Sequence, residues 1–250
     1  MKIIKSNYNQ EIKTIEKLQT TKGRKDQGKF IAEGIRICSA LISANAQLVQ
    51  LYVTEKMKDF AFGFAKEHEI TIVPENIMKK ISSADTPSGL LGVFKIPKTP
   101  TIDTLTEGMV LAQISDPGNM GTLIRSCAAM GVKNVVLVEG ADIWSPKVVQ
   151  SSVGTVINVN IFQISWPELI KNKNRLKFCA LTVSGGKNPK DIDFKDTLLV
   201  VGNEAHGLPQ QWIDQCDEKM TIPMPGEVES LNAAIAGSIA MYLAFAHKKA

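Results

Sequence analysis

The sequence predicts an α/β protein in two parts: a small α/β unit, then a parallel sheet sandwiched by helices. Three observations predict this class. From Met109 onward, apolar runs alternate with helical segments in a repeating strand–helix–strand order. Several of these runs are continuously apolar, as in strands that are covered on both faces. Before them lies a proline- and threonine-rich stretch without apolar periodicity, which separates the two parts.

The first part is predicted over residues 1–98, the second over 107–250, and the boundary near 97–107. In the first part, helical spacing covers Gln10–Thr20, Ile35–Ser43 and Lys56–His68. Short β-rich runs lie between these helices at Leu48–Val53, Ile70–Val73 and Leu90–Ile96. In the second part, the predicted strands are Val110–Ile114, Val135–Val138, Val156–Ile161, Phe178–Thr182, Thr197–Val201 and Met220–Ile222.

The composition excludes several classes of protein. With 250 residues, 44% hydrophobic and 22% charged, the chain is neither disordered nor collagen-like. Its longest nearly uncharged apolar stretch, Leu231–Ala246, is shorter than the roughly 20 residues that span a bilayer. The N-terminus lacks the apolar core of a signal peptide, so we expect a cytosolic protein. The four cysteines are scattered without a C-x-x-C pair, which predicts buried reduced thiols and no metal site.

Positive charge is concentrated at the N-terminus. Residues 1–30 hold eight Lys and Arg against three acidic side chains, whereas the rest of the chain is nearly balanced. Such clustering is typical of a surface that binds a polyanion, although a solvated basic arm without a partner is the alternative. The candidates for RNA contact are Lys22, Arg24, Lys25 and Lys29.

The motifs that cradle phosphates in nucleotide-binding proteins are missing. No G-x-G-x-x-G follows a predicted strand, which argues against a dinucleotide site. Residues 23–29 fit G-x-x-x-x-G-K, but Phe30 stands where a P-loop needs Ser or Thr. We therefore predict a flexible basic loop that contacts RNA at this point.

Three unusual loops each lie at a strand–helix junction in the second part. The first, residues 114–127, has a Pro-Gly turn, Asn119 as the predicted N-cap of the next helix, and Arg125 within two turns of it. The second, residues 199–209, places Gly202 and Glu204 at the carboxyl end of a buried strand, where open α/β sheets bind ligands. The third, residues 222–234, is stiffened by two prolines, and Ser230 is its predicted helix cap.

In that order, these loops match D-P-x-N-x-G-x-x-x-R, G-N-E-x-x-G-L and I-P-M-x-G-x-x-x-S-L-N. The chain thereby resembles the SpoU (TrmH-type) RNA ribose methyltransferases of the SPOUT superfamily over about 140 residues. Residues 5–34 also resemble the ribosomal-protein-like substrate-binding domain of many members. Ala205 and His206 depart from relatives that carry a glycine and a variable residue there.

The resemblance implies a deep trefoil knot, bound S-adenosylmethionine, no metal, and a homodimer. It implies cofactor contacts at Gly202, Ile222 and Leu231, with Thr182 on the adjoining strand. It also implies that the catalytic residues are Asn119, Arg125, Glu204, Ser230 and Asn232. A guanidinium almost never loses its proton, so Arg125 is expected to position groups and stabilise charge rather than act as a base.

The predicted function is methylation of ribose 2′-hydroxyls in RNA, with large-subunit ribosomal RNA favoured because an N-terminal domain is present. The alternatives are a transfer RNA ribose methyltransferase and a non-catalytic RNA-binding protein on the same fold. Methylation of a nucleobase is disfavoured by the Ser-Leu-Asn match at residues 230–232.

Overall fold

A computed structural model describes residues 1–173 and 176–246. The chain folds as two compact units. Unit 1 comprises Met1–Lys98 and Asp142–Ile157, and unit 2 comprises Thr99–Ala141 and Asn158–Ala250. The segment Asp142–Ile157 therefore belongs to the first unit, although it lies within the sequence of the second. Hydrophobic periodicity does not reveal this return of the chain to unit 1.

Unit 1 contains a five-stranded mixed sheet with strand order β1-β4-β3-β5-β2. Its strands are β1 (Lys2–Ile3), β2 (Lys29–Glu33), β3 (Leu48–Val53), β4 (Ile70–Ile72) and β5 (Leu90–Lys95). Its helices are α1 (Gln10–Glu16), α2 (Thr21–Gln27), α3 (Ile35–Ser43), α4 (Lys58–Ala61), α5 (Glu75–Ile81) and α7 (Pro146–Ser151). The core on one face packs Ile12, Leu18, Ile77 and Ile81 against the sheet.

Unit 2 contains a six-stranded sheet with strand order β11-β9-β10-β6-β7-β8, in which every neighbouring pair is parallel. Its strands are β6 (Gly108–Ala112), β7 (Asn134–Val138), β8 (Asn160–Gln163), β9 (Lys177–Leu181), β10 (Thr197–Val201) and β11 (Glu218–Met220). Its helices are α6 (Pro117–Ala129), α8 (Trp166–Lys171), α9 (Gln210–Ile213) and α10 (Ala233–Phe245).

Helices cover both faces of this sheet, which confirms the predicted fold class. On one face, Trp166 and Leu169 of α8 pack with Val136, Phe178 and Val200. On the other, α10 lies so close that a methyl group at Gly237 would meet Leu123 Cδ2 of α6 at 2.5 Å. Close packing of this kind explains the small residues of the closing helix. No helix in the described ranges is long and apolar enough to cross a membrane.

Several sequence-predicted elements differ from the structure. Residues 23–30 are not a flexible loop: Thr20 caps α2, the left-handed Gly28 ends it, and β2 follows at once. The predicted helix Lys56–His68 is reduced to the single turn of α4 flanked by 3-10 turns. The strand predicted at Val156–Ile161 begins only at Asn160, because residues 155–157 form a 3-10 turn, and Met220–Ile222 is displaced to Glu218–Met220.

All four cysteines are free thiols, but only three are buried, and Cys216 is half-buried. Burial raises the pKa of Cys38, Cys127, Cys179 and Cys216 to about 12, so these thiols stay protonated at neutral pH.

Candidate active site

The turn between β6 and α6 carries the first predicted motif. Asp116, rather than Asn119, is the N-cap: its Oδ1 accepts the Asn119 N–H at 2.8 Å. Pro117 occupies the first helical position, where its fixed φ angle favours helix and its missing N–H costs nothing. The helix therefore begins three residues earlier than predicted, and the Asn119 side chain does not cap it and can make another contact.

Glu204, in the turn after β10, holds this first loop in place. Its Oε1 accepts hydrogen bonds from the Asp116 N–H at 3.0 Å and from Asn119 Nδ2 at 3.1 Å. Its Oε2 accepts from the N–H of Ser115 at 3.2 Å and from Ser115 Oγ at 2.9 Å. One carboxylate thus joins the carboxyl ends of two neighbouring strands.

These hydrogen bonds change the acidity of Glu204. Partial burial raises its pKa, but the bonds from Asn119 and from the backbone N–H groups of Asp116 and Ser115 outweigh burial and lower the pKa to about 2. Glu204 is therefore an anion at neutral pH that holds the loop and is not a general base.

Asn232 connects the third motif to the same network. Its Nδ2 donates to Asn119 Oδ1 at 3.0 Å, while its Oδ1 caps α10 by accepting the N–H groups of Ala234 and Ile235. Asn232, not Ser230, is therefore the N-cap of this helix. A chain of hydrogen bonds runs from Asn232 through Asn119 to Glu204, and it fixes which way each side-chain amide points.

A cleft of about 280 Å³ opens beside this network in unit 2. All four residues predicted to bind the cofactor line it, together with two of the predicted catalytic residues: Thr182, Gly202, Ile222, Leu231, Glu204 and Ser230. The remaining lining combines apolar residues with Asn203, Ala205, His206 and Gly207 of the turn after β10. Such a surface suits a ligand with a flat heterocycle and a few polar groups.

Arg125 lies in α6 and is exposed. It makes no hydrogen bond or ion pair with the residues that the structure describes. It does not line the cleft, so the structure does not bring it together with the other predicted catalytic residues. An exposed, unengaged guanidinium is available for an anionic ligand.

Three of the four predicted RNA contacts in unit 1 are accessible, and one prediction is wrong. Lys22 and Lys25 are exposed and Lys29 is half-buried, but Arg24 is only 3% exposed. Arg24 Nη2 and Nε contact Asp142 Oδ2 at 2.6 and 3.0 Å, and Nη1 donates to the Leu18 carbonyl at 2.7 Å. Arg24 is a structural residue because its hydrogen-bonding groups are used within the protein.

Three residues of the network were not among the predicted site residues: Ser115, Asp116 and Asn203. Asn203 Nδ2 donates to the Gln113 carbonyl at 2.9 Å, and its Oδ1 accepts the N–H groups of Ala205 and His206. Asp and Asn near glycine at the end of a strand often accept hydrogen bonds from the backbone of the following turn. The roles of Asp116 and Asn203 could therefore have been predicted from the sequence. His206 lies on this turn, is exposed and lines the cleft.

Polar side chains joined across the carboxyl ends of parallel strands, beside a partly apolar cleft, define unit 2 as a ligand-binding α/β domain of the open-sheet class. A model of the SpoU rRNA Methylase family matches residues 108–242, and a model of the MRM3-like substrate binding domain matches residues 9–92. The first match spans more than half of the chain, so the protein belongs to the SpoU rRNA methylase family.

The chain is similar to ribosomal RNA methyltransferases over most of its length. The 23S rRNA (guanosine(2553)-2′-O)-methyltransferase of Bacillus subtilis is 26% identical over 97% of this chain and 98% of its own length. The 23S rRNA (uridine(2479)-2′-O)-methyltransferase of Streptomyces viridochromogenes is 28% identical over 86% and 82%. An AdoMet-bound rRNA methyltransferase from Sinorhizobium meliloti superposes with a TM-score of 0.88, at 26% identity, over 100% of this chain and 99% of its own.

Proposed function

We propose that this protein is an S-adenosylmethionine-dependent RNA 2′-O-ribose methyltransferase that acts on large-subunit ribosomal RNA. The observation that carries the proposal is the hydrogen-bond chain Asn232–Asn119–Glu204, which joins the three motifs beside the cleft. Relatives that align with nearly the whole chain, including unit 1, are named as 23S rRNA 2′-O-methyltransferases. This favours ribosomal over transfer RNA, and with it action in the cytoplasm.

The cleft fits the proposed cofactor. Its apolar walls suit an adenine ring, its exposed backbone groups suit the ring nitrogens, and the nearby Glu204 carboxylate suits a cationic sulfonium. Thr182, Gly202, Ile222 and Leu231 would hold the molecule. When bound, S-adenosylmethionine would supply an activated methyl group. The ribose 2′-oxygen would bond to the methyl carbon as the carbon–sulfur bond breaks, so that S-adenosylhomocysteine leaves and the hydroxyl proton passes to solvent.

The residues of the network would align the ribose for this reaction. A misplaced nucleophile loses much of the acceleration that an enzyme can supply, so fixed amide groups are valuable here. Asn119 and Asn232, each oriented by the hydrogen bonds described above, would hold the ribose and Ser230 would assist them. Arg125 would bind the adjacent phosphate and stabilise negative charge on the hydroxyl oxygen as its proton leaves.

The proposal is tested by incubating the protein with methyl-labelled S-adenosylmethionine and RNA from a strain that lacks the gene. We expect label in 23S rRNA and none in transfer RNA, recovered after digestion as a 2′-O-methylated nucleoside. Label confined to transfer RNA would favour the transfer RNA enzyme. Tight RNA binding without any transfer would favour the non-catalytic binding protein.

Gly202→Ala is expected to weaken S-adenosylmethionine binding at least tenfold. A methyl group on Gly202 would lie 2.5 Å from the Gly207 carbonyl carbon and from the Leu208 nitrogen, so the turn that lines the cleft must move. Gly226→Ala is the matched control, because no atom lies within 4 Å of the added methyl group. Calorimetric titration measures both affinities, and equal affinities would place the cofactor outside this cleft.

We further propose a homodimer formed through α10. Ile235, Ile239 and Leu243 recur at four-residue intervals along this helix and are 52%, 38% and 37% exposed. An apolar stripe of this kind on a helix favours burial against a partner. We also propose that unit 2 contains the trefoil knot that the resemblance implies.

Ile239→Asp is expected to convert the dimer into monomers, because the new carboxylate would be buried without a partner in the interface. Light scattering after size-exclusion chromatography measures the mass of each variant. Ile3→Asp, which places the same charge at an isoleucine that is 59% exposed in unit 1, should leave the dimer intact. A dimeric Ile239→Asp protein would contradict this interface.

A further inference from the structure

Gln113 and Glu139 occupy matching positions at the ends of two neighbouring strands. Ala112 of β6 pairs with Val138 of β7, so the next residue on each strand is Gln113 or Glu139. Both have left-handed backbones, with φ angles of 59° and 60°. This conformation is costly for residues other than glycine, and where it persists it is concentrated at functional sites.

Short hydrogen bonds hold this pair in one geometry. Gln113 Nε2 donates to Glu139 Oε2 at 2.7 Å. The backbones are joined as well, because the Gln113 N–H donates to the Val138 carbonyl and the Ala141 N–H to the Ile114 carbonyl, each at 2.8 Å. The Glu139 carboxylate is therefore presented from a rigid turn.

The pair is continuous with the candidate active site. The Gln113 carbonyl accepts the Asn203 Nδ2 hydrogen bond, and Asn203 Nδ2 also lies 3.3 Å from Glu204 Oε2. Glu139 therefore stands one strand beyond the network that would hold the ribose, on the same edge of the sheet. Neighbouring strands lie about 4.8 Å apart, which is within the reach of a nucleobase attached to that ribose.

Of the carboxylates described in the turns that directly follow β6, β7 and β10, Glu139 is the one with an open oxygen. Asp116 caps α6, and both oxygens of Glu204 accept hydrogen bonds from the first loop. Glu139 is exposed, and its Oε1 makes no hydrogen bond with the described residues. A carboxylate on a surface that meets RNA repels phosphates and is favourable where it accepts hydrogen bonds, which RNA donates from base N–H groups and from ribose hydroxyls. Of these donors, the base N–H groups are the ones that distinguish one nucleotide from another.

We propose that Glu139, fixed by Gln113, recognises the base of the methylated nucleotide and that this base is guanine. Guanine alone among the four bases presents two adjacent N–H donors, N1–H and N2–H, to a single carboxylate. Adenine and cytosine present one amino group each, and uracil presents one ring N–H. The target must be unpaired, as is usual where RNA is read by its Watson–Crick edge. The inference rests on the proposed ribose methylation and adds the identity of the acceptor.

The test uses an unmodified 23S rRNA transcript and the full-length protein. The methylated nucleotide is mapped first, and the rates of wild type, Glu139→Gln and the control Asp103→Asn are then compared on that transcript. Asp103 is exposed and precedes β6, at the opposite end of the strand. A ligated transcript with inosine at the target removes only the N2 amino group.

We expect methylation at a guanosine and a roughly 10- to 100-fold lower kcat/KM for Glu139→Gln, with Asp103→Asn unchanged. Inosine should slow the wild type by about tenfold and the Glu139→Gln variant much less, a coupling that a merely structural role would not produce. Methylation at any other nucleotide, or an unimpaired Glu139→Gln variant, would overturn this inference while leaving ribose methylation in place. No methyl transfer to any RNA would overturn the proposed function itself.

Discussion

Arg125→Ala is expected to lower the rate of methyl transfer to RNA by about 10²- to 10³-fold, the usual cost of removing one group that stabilises developing charge. The Arg125 side chain is exposed and makes no hydrogen bond or ion pair with the described residues, so its loss should change neither the fold nor the free energy of unfolding. It does not line the cleft, so S-adenosylmethionine affinity should also be unchanged. The loss should therefore appear in the rate of single-turnover reactions with saturating RNA.

Two further variants test whether the loss of rate is due to the guanidinium of Arg125 rather than to the loss of any positive charge. Arg125→Lys keeps the charge but loses the forked guanidinium, so its rate should lie between those of wild type and alanine. Lys133→Ala removes another exposed cation from the same unit and should react like wild type. A wild-type rate for Arg125→Ala, or a loss confined to cofactor affinity, would contradict the role assigned to this side chain.

Glu204→Ala is expected to impair both stability and activity. The substitution leaves the N–H groups of Ser115 and Asp116 and the Asn119 amide without their acceptor, which should lower the free energy of unfolding by about 1–3 kcal/mol. Because Asn119 also loses its fixed orientation, we expect a fall in methyl transfer of about 10²-fold. Urea unfolding and single-turnover assays measure the two effects, and Glu229→Gln, an exposed carboxamide substitution, is the control.

The stabilising effect of Glu204 should depend on pH in a defined direction. Its pKa falls from the ordinary 4.5 to about 2 on folding, so the folded state favours the anion. The stabilisation is fully present above the ordinary pKa and is lost as the pH falls toward 2. The difference in unfolding free energy between wild type and Glu204→Gln should therefore narrow from pH 6 to pH 3. A difference that stays constant or widens on acidification would contradict the assigned hydrogen bonds.

The convergence of the three motifs was predictable because it follows from topology. Continuous apolar runs predicted parallel strands, and the carboxyl ends of parallel strands meet at one edge. That placed the loops of Asn119, Glu204 and Asn232 together without any knowledge of coordinates. Thr182, Gly202, Ile222 and Leu231, which the family resemblance implied as cofactor contacts, line one cleft, and their contact with the cofactor stays a prediction.

The sequence did not predict which side chain in the first and third loops caps the following helix. Each of these loops contains two side chains that are suitable N-caps. Asp116 and Asn119 are both good N-caps, and Pro117 decided between them by starting the helix early. Likewise, Asn232 rather than Ser230 caps α10, since it stands directly before the first helical residue.

The prediction that Arg24 contacts RNA was wrong for a different reason: the carboxylate that binds Arg24 is distant in sequence. Asp142 lies 118 residues away and joins unit 1 only when the chain returns to it after Ala141. Local charge counting treats each cation as solvated and cannot detect such a pair. Of the four predicted RNA contacts, Lys22, Lys25 and Lys29 remain accessible.

The most direct measurement is a map of alkali-resistant linkages in 23S rRNA from cells with and without the gene. A ribose 2′-O-methyl group blocks alkaline cleavage at one linkage, so its presence reports the reaction and its position. We expect one resistant linkage to disappear when the gene is deleted, to return with the wild-type gene, and to stay absent with Arg125→Ala. An identical map in all four strains would contradict ribose methylation of large-subunit RNA by this protein.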